Sequence, residues 1–205
     1  MKNLRQIQKE QTHKHLIETA IHLFAERGFM TVTTADLAKA ANVAHGTVFV
    51  HFPTLEALLV EVIEEFGARI SLRLHELAAN QTSLKKVLAA HLEGLTEYES
   101  FYTRLVIEGR LLPKNARYVF IMIQSSISLH IGQAAEKEIK EGRLASYSIH
   151  LMFNTWMGLV HYYLLNSDLF APGGSVLTKC GPEILIHFLR LVEAKNVPAN
   201  GPTRR

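Results

Sequence analysis

Residues 34–52, TADLAKAANVAHGTVFVHF, decide how the N-terminal part of the chain folds. Their apolar spacing predicts a helix of about eight residues, a turn around Asn42 and Val43, and a second helix from Ala44 to His51. Helices this short are not stable alone, so they must pack against each other and against a neighbour. Ala38 and Ala41 are small enough to let the two helices cross closely. The stretch is therefore typical of a helix-turn-helix.

The second helix of this motif leaves one face free for a partner. We expect Val48 to fill the angle between the helices and Phe52 to anchor the unit to the preceding helix. The remaining side chains are short, flat or hydrogen-bonding, and such a face can enter a DNA major groove. Gly46 permits close approach to a phosphate. The predicted DNA-binding residues are Thr33, Thr34, Ala44, His45, Gly46, Thr47, Phe49, Val50 and His51. Two short helices in an ordinary bundle core are the alternative.

The rest of the chain also has helical periodicity, without a convincing strand pattern. The predicted helices lie at about 12–27, from Thr54 onward, 83–98, 101–111, 116–140, 146–166 and 182–194, with an irregular loop at 168–175. We therefore predict an all-α fold with three parts. Residues 1–53 form a three-helix helix-turn-helix domain, residues 54–195 a helical bundle, and residues 196–205 a flexible tail.

Composition excludes several protein classes. Of the 205 residues, 48% are apolar and 20% charged, which excludes a disordered or collagen-like chain. The single cysteine, Cys180, excludes an internal disulfide and fits a reducing cytoplasm. No secretory signal is visible. The apolar stretch 149–165 is shorter than a membrane span and interrupted by polar residues, so we expect no membrane partner.

Residues 13–66 resemble the N-terminal domain of the TetR family of transcriptional repressors. The matching residues are Ala20, Leu23-Phe24, Gly28-Phe29, residues 33–38, Ala41, Val43, residues 46–49, residues 51–53 and residues 56–59. The resemblance implies that the first three helices bind double-stranded operator DNA. It also implies that the remainder is a ligand-binding and dimerisation domain, and that a small molecule releases the repressor from a pseudo-palindromic operator.

The chain departs from the usual family pattern at several positions. Asn42 stands where the family usually has glycine, and asparagine tolerates the left-handed turn conformation. Ala44 replaces a capping serine, so we expect a less well capped second helix. A phosphate-binding tyrosine is Phe49 here, and two frequent lysines are His45 and Leu55. Each lost phosphate contact should lower DNA affinity and flatten its salt dependence.

The small positive charge lies mostly beside the helix-turn-helix. The formal net charge is +3, and residues 1–53 carry six Lys/Arg against four Asp/Glu, a net of +2. Lys2, Arg5, Lys9 and Lys14 are either replacement phosphate contacts or a solvated basic end. Five of the eleven histidines also lie in residues 1–53, so we expect DNA binding to strengthen at mildly acidic pH.

Two apolar segments near the C-terminus predict a homodimer. Residues 149–165 are apolar nearly all round, and a helix of that kind must be covered on every side. The segment 182–194 has the same character. We therefore expect the last two helices, at about 146–166 and 182–194, to form a four-helix bundle with a second copy, as the TetR resemblance also implies.

The C-terminal part also carries aromatic and methionine residues that suit a cavity. The predicted ligand-binding residues are Tyr98, Phe101, Tyr102, Tyr118, Met122, Trp156 and His161. As a group they suit a small apolar or aromatic effector. For each residue taken alone, a packed core is the alternative.

A helical enzyme or metal protein built on the C-terminal bundle, without operator binding, is the alternative from another class. His75, His91, His130, His150 and His161 form a metal site only if the fold brings several of them together. Glu10 and His13 have the spacing of a di-iron motif, but the motif occurs once. Cys180 lies in no nucleophile motif, and Gly173-Gly174 lacks the lysine of a phosphate loop. We therefore predict neither enzymatic activity nor a cofactor.

Overall fold

A computed structural model describes residues 3–78 and 83–194, and the protein is all-α over these ranges. The described helices are α1 (Leu4–Arg27), α2 (Thr34–Ala40), α3 (His45–His51), α4 (Leu55–Ala78), α5 (Leu84–Glu97), α6 (Glu99–Glu108), α7 (Lys114–Lys140), α8 (Ile149–Leu165), α9 (Ser167–Phe170) and α10 (Val176–Val192). The predicted fold class is confirmed. The predicted tail, 196–205, lies outside the described residues.

Helix α1 begins earlier than the sequence pattern predicted. It starts at Leu4 rather than near Thr12, because Asn3 forms a capping box with Gln6. The Gln6 side chain accepts the backbone N–H of Asn3 at 3.1 Å, which satisfies a donor at the helix start. The added turns are exposed, and their two apolar residues, Leu4 and Ile7, are too few to form a stripe from which a helix could be predicted.

Helix α10 also begins earlier than predicted, at Val176, and Pro182 lies inside it. The prediction of a start at Pro182 was therefore wrong. Two interactions stabilise the earlier start: Ser175 caps the helix, and the carboxylate of Glu99 in α6 accepts the N–H groups of Val176 (2.7 Å) and Leu177 (3.1 Å). The short helix α9 occupies part of the loop predicted at 168–175.

The three N-terminal helices share one apolar core. Leu16, Ala20 and Phe24 of α1 are buried, as are Leu37 of α2 and Val48 of α3. Helix α2 packs on both α1 and α3, so α1 carries the two short helices. This arrangement removes from water the apolar faces that neither short helix could bury alone.

The C-terminal bundle is built around α4. Helix α4 packs along α5 and α7, α5 packs on α10, and α8 packs on both α7 and α10. The largest buried side chains here are aromatic: Phe66, Phe101, Tyr102, Trp156 and Phe188. Among the described residues, no single helix is long and apolar enough to cross a membrane; only the bent pair His45–His51 and Leu55–Glu76 passes on length and composition.

The end of α1 is held against α6. Phe29 is buried and packs its ring edge-on against Phe101 of α6, 5.2 Å between centroids. The backbone N–H of Met30 donates to a carboxylate oxygen of Glu108 at 2.9 Å. Gly28 has φ +84°, and a Cβ at this position would overlap the same carboxylate. These contacts form one of the junctions between the N-terminal helices and the bundle.

Candidate functional site

The turn between α2 and α3 has the geometry that the sequence predicted. Asn42 adopts φ +54°, the left-handed conformation that asparagine tolerates. The N–H of Val43 donates to the carbonyl of Ala38 at 3.0 Å. A ring nitrogen of His15 in α1 contacts the carbonyl of Ala41 at 3.1 Å. These contacts fix the angle between α2 and α3.

The inner side of α3 packs as expected. Val48 is fully buried between the helices, and Val43 packs against the same core. Phe52, just beyond α3, is also fully buried and stacks on His13 of α1 with 4.9 Å between ring centroids. Val48 is buried as its predicted packing role requires, and the predicted contact of Phe52 with α1 is confirmed.

The outer side of α3 carries most of the predicted DNA-binding residues. Ala44, His45, Gly46, Phe49 and Val50 are exposed, whereas Thr47 and His51 are half-buried. Gly46 has open space at its Cβ position. The exposed backbone and side chains form a continuous face over one and a half turns, which a DNA groove can contact.

His45 is held in place on this face by two neighbours. Its Nε2 lies 3.0 Å from the hydroxyl of Thr34 in α2, and its ring packs edge-on against Phe49 with 4.9 Å between centroids. Residues whose rotamers are locked by packing and hydrogen bonds lose less entropy on binding. The contact explains how Thr34 supports the α3 face.

Thr33 has a structural role at the start of α2. Its hydroxyl oxygen accepts the N–H of Asp36 at 3.2 Å, and the Asp36 carboxylate accepts the N–H of Thr33 at 2.9 Å. This capping box, together with Arg27, holds the pKa of Asp36 below its usual value. Ala44 precedes α3 at the capping position and provides no side-chain cap, because a methyl group cannot accept a hydrogen bond. The prediction of an uncapped α3 is confirmed.

Exposed basic side chains lie on the two helices that precede α3. Arg5, Lys9 and Lys14 are exposed on the N-terminal half of α1, and Lys39 is exposed on α2. An open cleft of about 520 Å³ lies between that half of α1 and His51. Arg5, Lys9 and Lys14 are among the cations that the sequence pattern offered for phosphate contacts, whereas Lys39 was not.

His51 contributes little positive charge at neutral pH. Burial lowers its pKa below the ordinary value, and the nearby charges of His13 and Lys9 lower it further. Glu61 acts in the opposite direction and pairs with His13 at 2.8 Å. A neutral His51 can still form a hydrogen bond but does not neutralise a phosphate.

In the bundle, several predicted ligand-binding residues meet around Phe66 of α4. The rings of Tyr98, Phe101 and Tyr102 lie 5.9, 5.1 and 5.8 Å from its ring centroid. Phe101 and Tyr102 are buried, and Tyr98 is half-buried. The hydroxyl of Tyr102 lies 2.8 Å from Nε2 of His161. Phe66 was not among the predicted ligand-binding residues.

The remaining predicted ligand-binding residues divide into two groups. Trp156 is fully buried and donates its indole N–H to Nδ1 of His91 at 3.1 Å. Tyr118 and Met122 are instead exposed on α7, at 61% and 49% of their surface. They therefore lie away from the buried group, because the face of α7 that packs inward carries Phe120, Ile127 and Ile131.

Two open clefts flank the buried aromatic group. One, of about 930 Å³, lies between α1, α4, the start of α6 and residues 173–175, and Tyr98 and Phe101 contribute to its wall. The other, of about 660 Å³, lies between α7 and α8 and includes Gln124 and Phe153. The wall of the first cleft includes Phe101 of the buried aromatic group, and the wall of the second includes Gln124, which hydrogen-bonds Tyr102.

Polar contacts across the first cleft join α1 to α4. The guanidinium of Arg69 forms a two-pronged pair with Glu18 of α1 and also donates to Glu65 at 2.8 Å. These hydrogen bonds raise the pKa of Arg69 and lower that of Glu18. No local pattern marks this pair, whose members lie 51 positions apart.

The histidines considered as metal ligands do not gather in the part of the chain that the structure describes. No group of three or more His, Cys, Asp or Glu side chains there could hold a metal ion. Two of them, His91 and His161, instead hydrogen-bond Trp156 and Tyr102 inside the bundle.

Comparison with known proteins connects the N-terminal geometry to a family. Residues 16–62 match the family model for bacterial regulatory proteins of the tetR family. The HTH-type transcriptional regulator YuxN of Bacillus subtilis is 26% identical over 106 residues, which are 50% of this chain and 36% of that protein. The chain therefore spans little more than a third of that regulator's length.

Longer matches extend over the bundle. The fatty acid metabolism regulator protein of Bacillus subtilis is 25% identical over 182 residues, 83% of this chain and 94% of that protein. The crystal structure of the transcriptional regulator FadR from Bacillus subtilis, in complex with stearoyl-CoA, has a TM-score of 0.73. It shares 18% sequence identity and covers 86% of this chain and 97% of its own. At this identity the structural likeness shows a common fold.

Proposed function

Since the chain belongs to the TetR family of bacterial regulatory proteins, we propose that it is a transcriptional repressor that binds a pseudo-palindromic operator. The exposed outer face of α3 is the observation that carries this proposal. In this proposal His45, which Thr34 holds at 3.0 Å, contacts base edges, and the exposed Lys14 and Lys39 contact phosphates. A DNA-binding regulator acts where the DNA is, which makes the cytoplasm its compartment.

The protein acts on DNA as a homodimer through α8 and α10. Leu151, Tyr162 and Leu165 of α8 are exposed, with Ile186 and Leu191 of α10, although these two helices pack on each other. A run of exposed apolar side chains on adjacent helices supports burial against a second copy. Gly158 has open space at its Cβ position on this side of α8, which permits close approach. Two-fold symmetry then presents two α3 helices to two half-sites.

A small apolar or aromatic effector releases the repressor by acting on α6. Phe101 and Tyr102 of α6 belong to the buried aromatic group, and Glu108 at the end of the same helix holds the backbone of Met30. A ligand that displaces the aromatic group moves α6 and, with it, the N-terminal helices. The stearoyl-CoA complex of FadR supports a ligand site within this fold.

Operator binding by variants of α3 tests the proposal. We expect His45→Ala and Thr47→Ala to weaken binding of the purified protein to its own upstream DNA by roughly 5–100-fold, since each base contact contributes about 1–3 kcal/mol. Electrophoretic mobility shifts at low and moderate salt measure this loss. His130→Ala, at an exposed position of α7, is the matched control and should bind as the wild type does.

Dimerisation is followed in parallel by sedimentation. The α3 variants should remain dimeric, because α3 packs on α2, whereas α8 and α10 pack on each other and on the bundle. Loss of the dimer in either α3 variant contradicts the assignment of the α3 face. No shift of any upstream fragment, together with tightly held metal found by elemental analysis, would instead favour the metal-protein alternative.

A further inference from the structure

The interior of the C-terminal bundle contains a polar atom without a partner. His91 of α5 is fully buried, and its Nε2 is the buried side-chain atom that lacks a hydrogen-bond partner among the described residues. Buried polar groups in native proteins are nearly always paired, because an unpaired group loses its hydration without compensation. The unpaired nitrogen therefore points to a missing partner.

The contact with Trp156 identifies the unpaired atom as a donor. The indole N–H of Trp156 points at Nδ1 of His91, at 3.1 Å, and an indole nitrogen only donates. Nδ1 is thus the acceptor and carries no hydrogen. Burial lowers the pKa of His91 to about 3, so the ring is neutral and has one N–H. That hydrogen is on Nε2, and the missing partner is an acceptor.

The surroundings of His91 favour an uncharged acceptor. Repulsion from a protonated His161 would lower the pKa of His91 further, but burial lowers the pKa of His161 itself to about 4. Both rings are therefore neutral near pH 7, and Tyr102, bonded to His161, is neutral as well. A carboxylate or phosphate placed here would be buried without a compensating cation, which is strongly unfavourable.

A polar path leads toward this site from the cleft between α7 and α8. Gln124 contributes to the wall of that cleft and acts on the hydroxyl of Tyr102, whose pKa it lowers against the effect of burial. Tyr102 in turn contacts His161. The cleft, of about 660 Å³, is large enough for a small organic molecule to enter, although His91 and Trp156 do not line it.

We propose that His91 donates its Nε2–H to the uncharged carbonyl oxygen of an apolar effector, which reaches it from the α7–α8 cleft and packs against Trp156. The proposal rests on the proposed function, because it names the chemical class of the effector that this function requires. It adds one positioning contact, from Trp156 to His91, that keeps the donor hydrogen on the correct nitrogen.

Three probes of equal chain length test the proposal: 2-octanone, octane and octanoate. Trp156 is the single tryptophan of the chain, so a change in tryptophan fluorescence on titration reports binding beside His91. We expect 2-octanone to bind the full-length protein about 10-fold more tightly than octane, because only the ketone pairs the donor. Octanoate should bind at least about 10-fold more weakly than 2-octanone, because of the buried charge.

Variants at position 91 identify the donor. His91→Leu should remove the preference for 2-octanone over octane, whereas His91→Gln, which retains an N–H donor, should keep part of it. His130→Leu, at an exposed position, should retain the wild-type preference. Circular dichroism checks the folding of each variant. If His91→Leu does not fold, the preference for 2-octanone over octane is compared between the wild type and His91→Gln.

Several results would overturn the proposal. They are equal binding of 2-octanone and octane to the wild type, tighter binding of octanoate, an unchanged preference in His91→Leu, or no fluorescence response to any probe. Operator release is measured separately with the same probes. Binding that depends on His91 without operator release counts against the proposed function alone, and operator release that does not depend on His91 counts against this inference alone.

Discussion

At the scale of single residues, Gly28 occupies a conformation that only glycine adopts readily. Its φ of +84° and ψ of +163° lie outside the regions open to other residues. A Cβ at this position would overlap the carboxylate of Glu108, which holds the backbone of Met30. Two independent costs therefore oppose a side chain at position 28.

We predict that Gly28→Ala lowers the free energy of unfolding by roughly 2–4 kcal/mol, combining backbone strain with the loss of a charge-assisted hydrogen bond. Gly142→Ala is the matched control, because Gly142 has φ +72° and open space at its Cβ position. It should lose only about 1–2 kcal/mol from strain. Urea denaturation measures both losses, and equal losses would show that the contact with Glu108 contributes nothing.

Residue roles were predictable where both partners lie close in sequence. Val48 and Phe52 follow from the spacing of the helix-turn-helix. The partners of Gly28 and Trp156, which are Glu108 and His91, lie 80 and 65 positions away, and no local pattern marks such pairs. The exposure of Tyr118 and Met122 depends on the rotation of α7, which its weak apolar stripe does not determine.

At the scale of elements, α3 has little local support. It has seven residues, and its first position lacks a side-chain cap. We predict that Ala44→Ser stabilises the protein by about 1 kcal/mol, because a serine oxygen accepts an N–H group of the first turn. Thermal denaturation measures the gain. Ala40→Ser, an exposed substitution within α2, is the control, and a similar gain there would show that capping is not the cause.

The starts of α1 and α10 show why helix bounds were less predictable than helix positions. Apolar periodicity located every long helix, because a buried face requires it. The first turns of α1 bury no apolar face and depend on the capping box of Asn3. The start of α10 depends on Glu99, which lies 77 positions before Val176. Neither contact produces a periodic signal.

At the scale of the whole molecule, the buried histidines make stability depend on pH. Burial lowers the pKa of His91 to about 3 and of His161 to about 4, below the ordinary value near 6.5. As the pH falls from 6.5 toward these lowered pKa values, the unfolded chain takes up protons that the folded protein does not, so the protein becomes less stable. Each buried histidine lowers the free energy of unfolding by up to about 1.4 kcal/mol for each pH unit below 6.5.

We predict that unfolding temperature drops markedly between pH 7 and pH 5, and that His161→Gln, which carries no titrating ring, reduces this drop. Calorimetry at the two pH values measures it. The exposed His130 supplies the control variant His130→Gln, which should keep the wild-type difference. An equal drop in wild type and His161→Gln would contradict the buried, neutral state of His161.

Helix α6 has a carboxylate at each end with a different task. Glu99 at its first position caps α10, a helix of the proposed dimer surface, and Glu108 at its last position holds the backbone after α1. The ten residues of α6 thus connect the proposed dimer surface to the N-terminal helices. In the proposed dimer, pairing and operator binding are thermodynamically reciprocal: a bound operator strengthens pairing by the same free energy by which pairing strengthens operator binding.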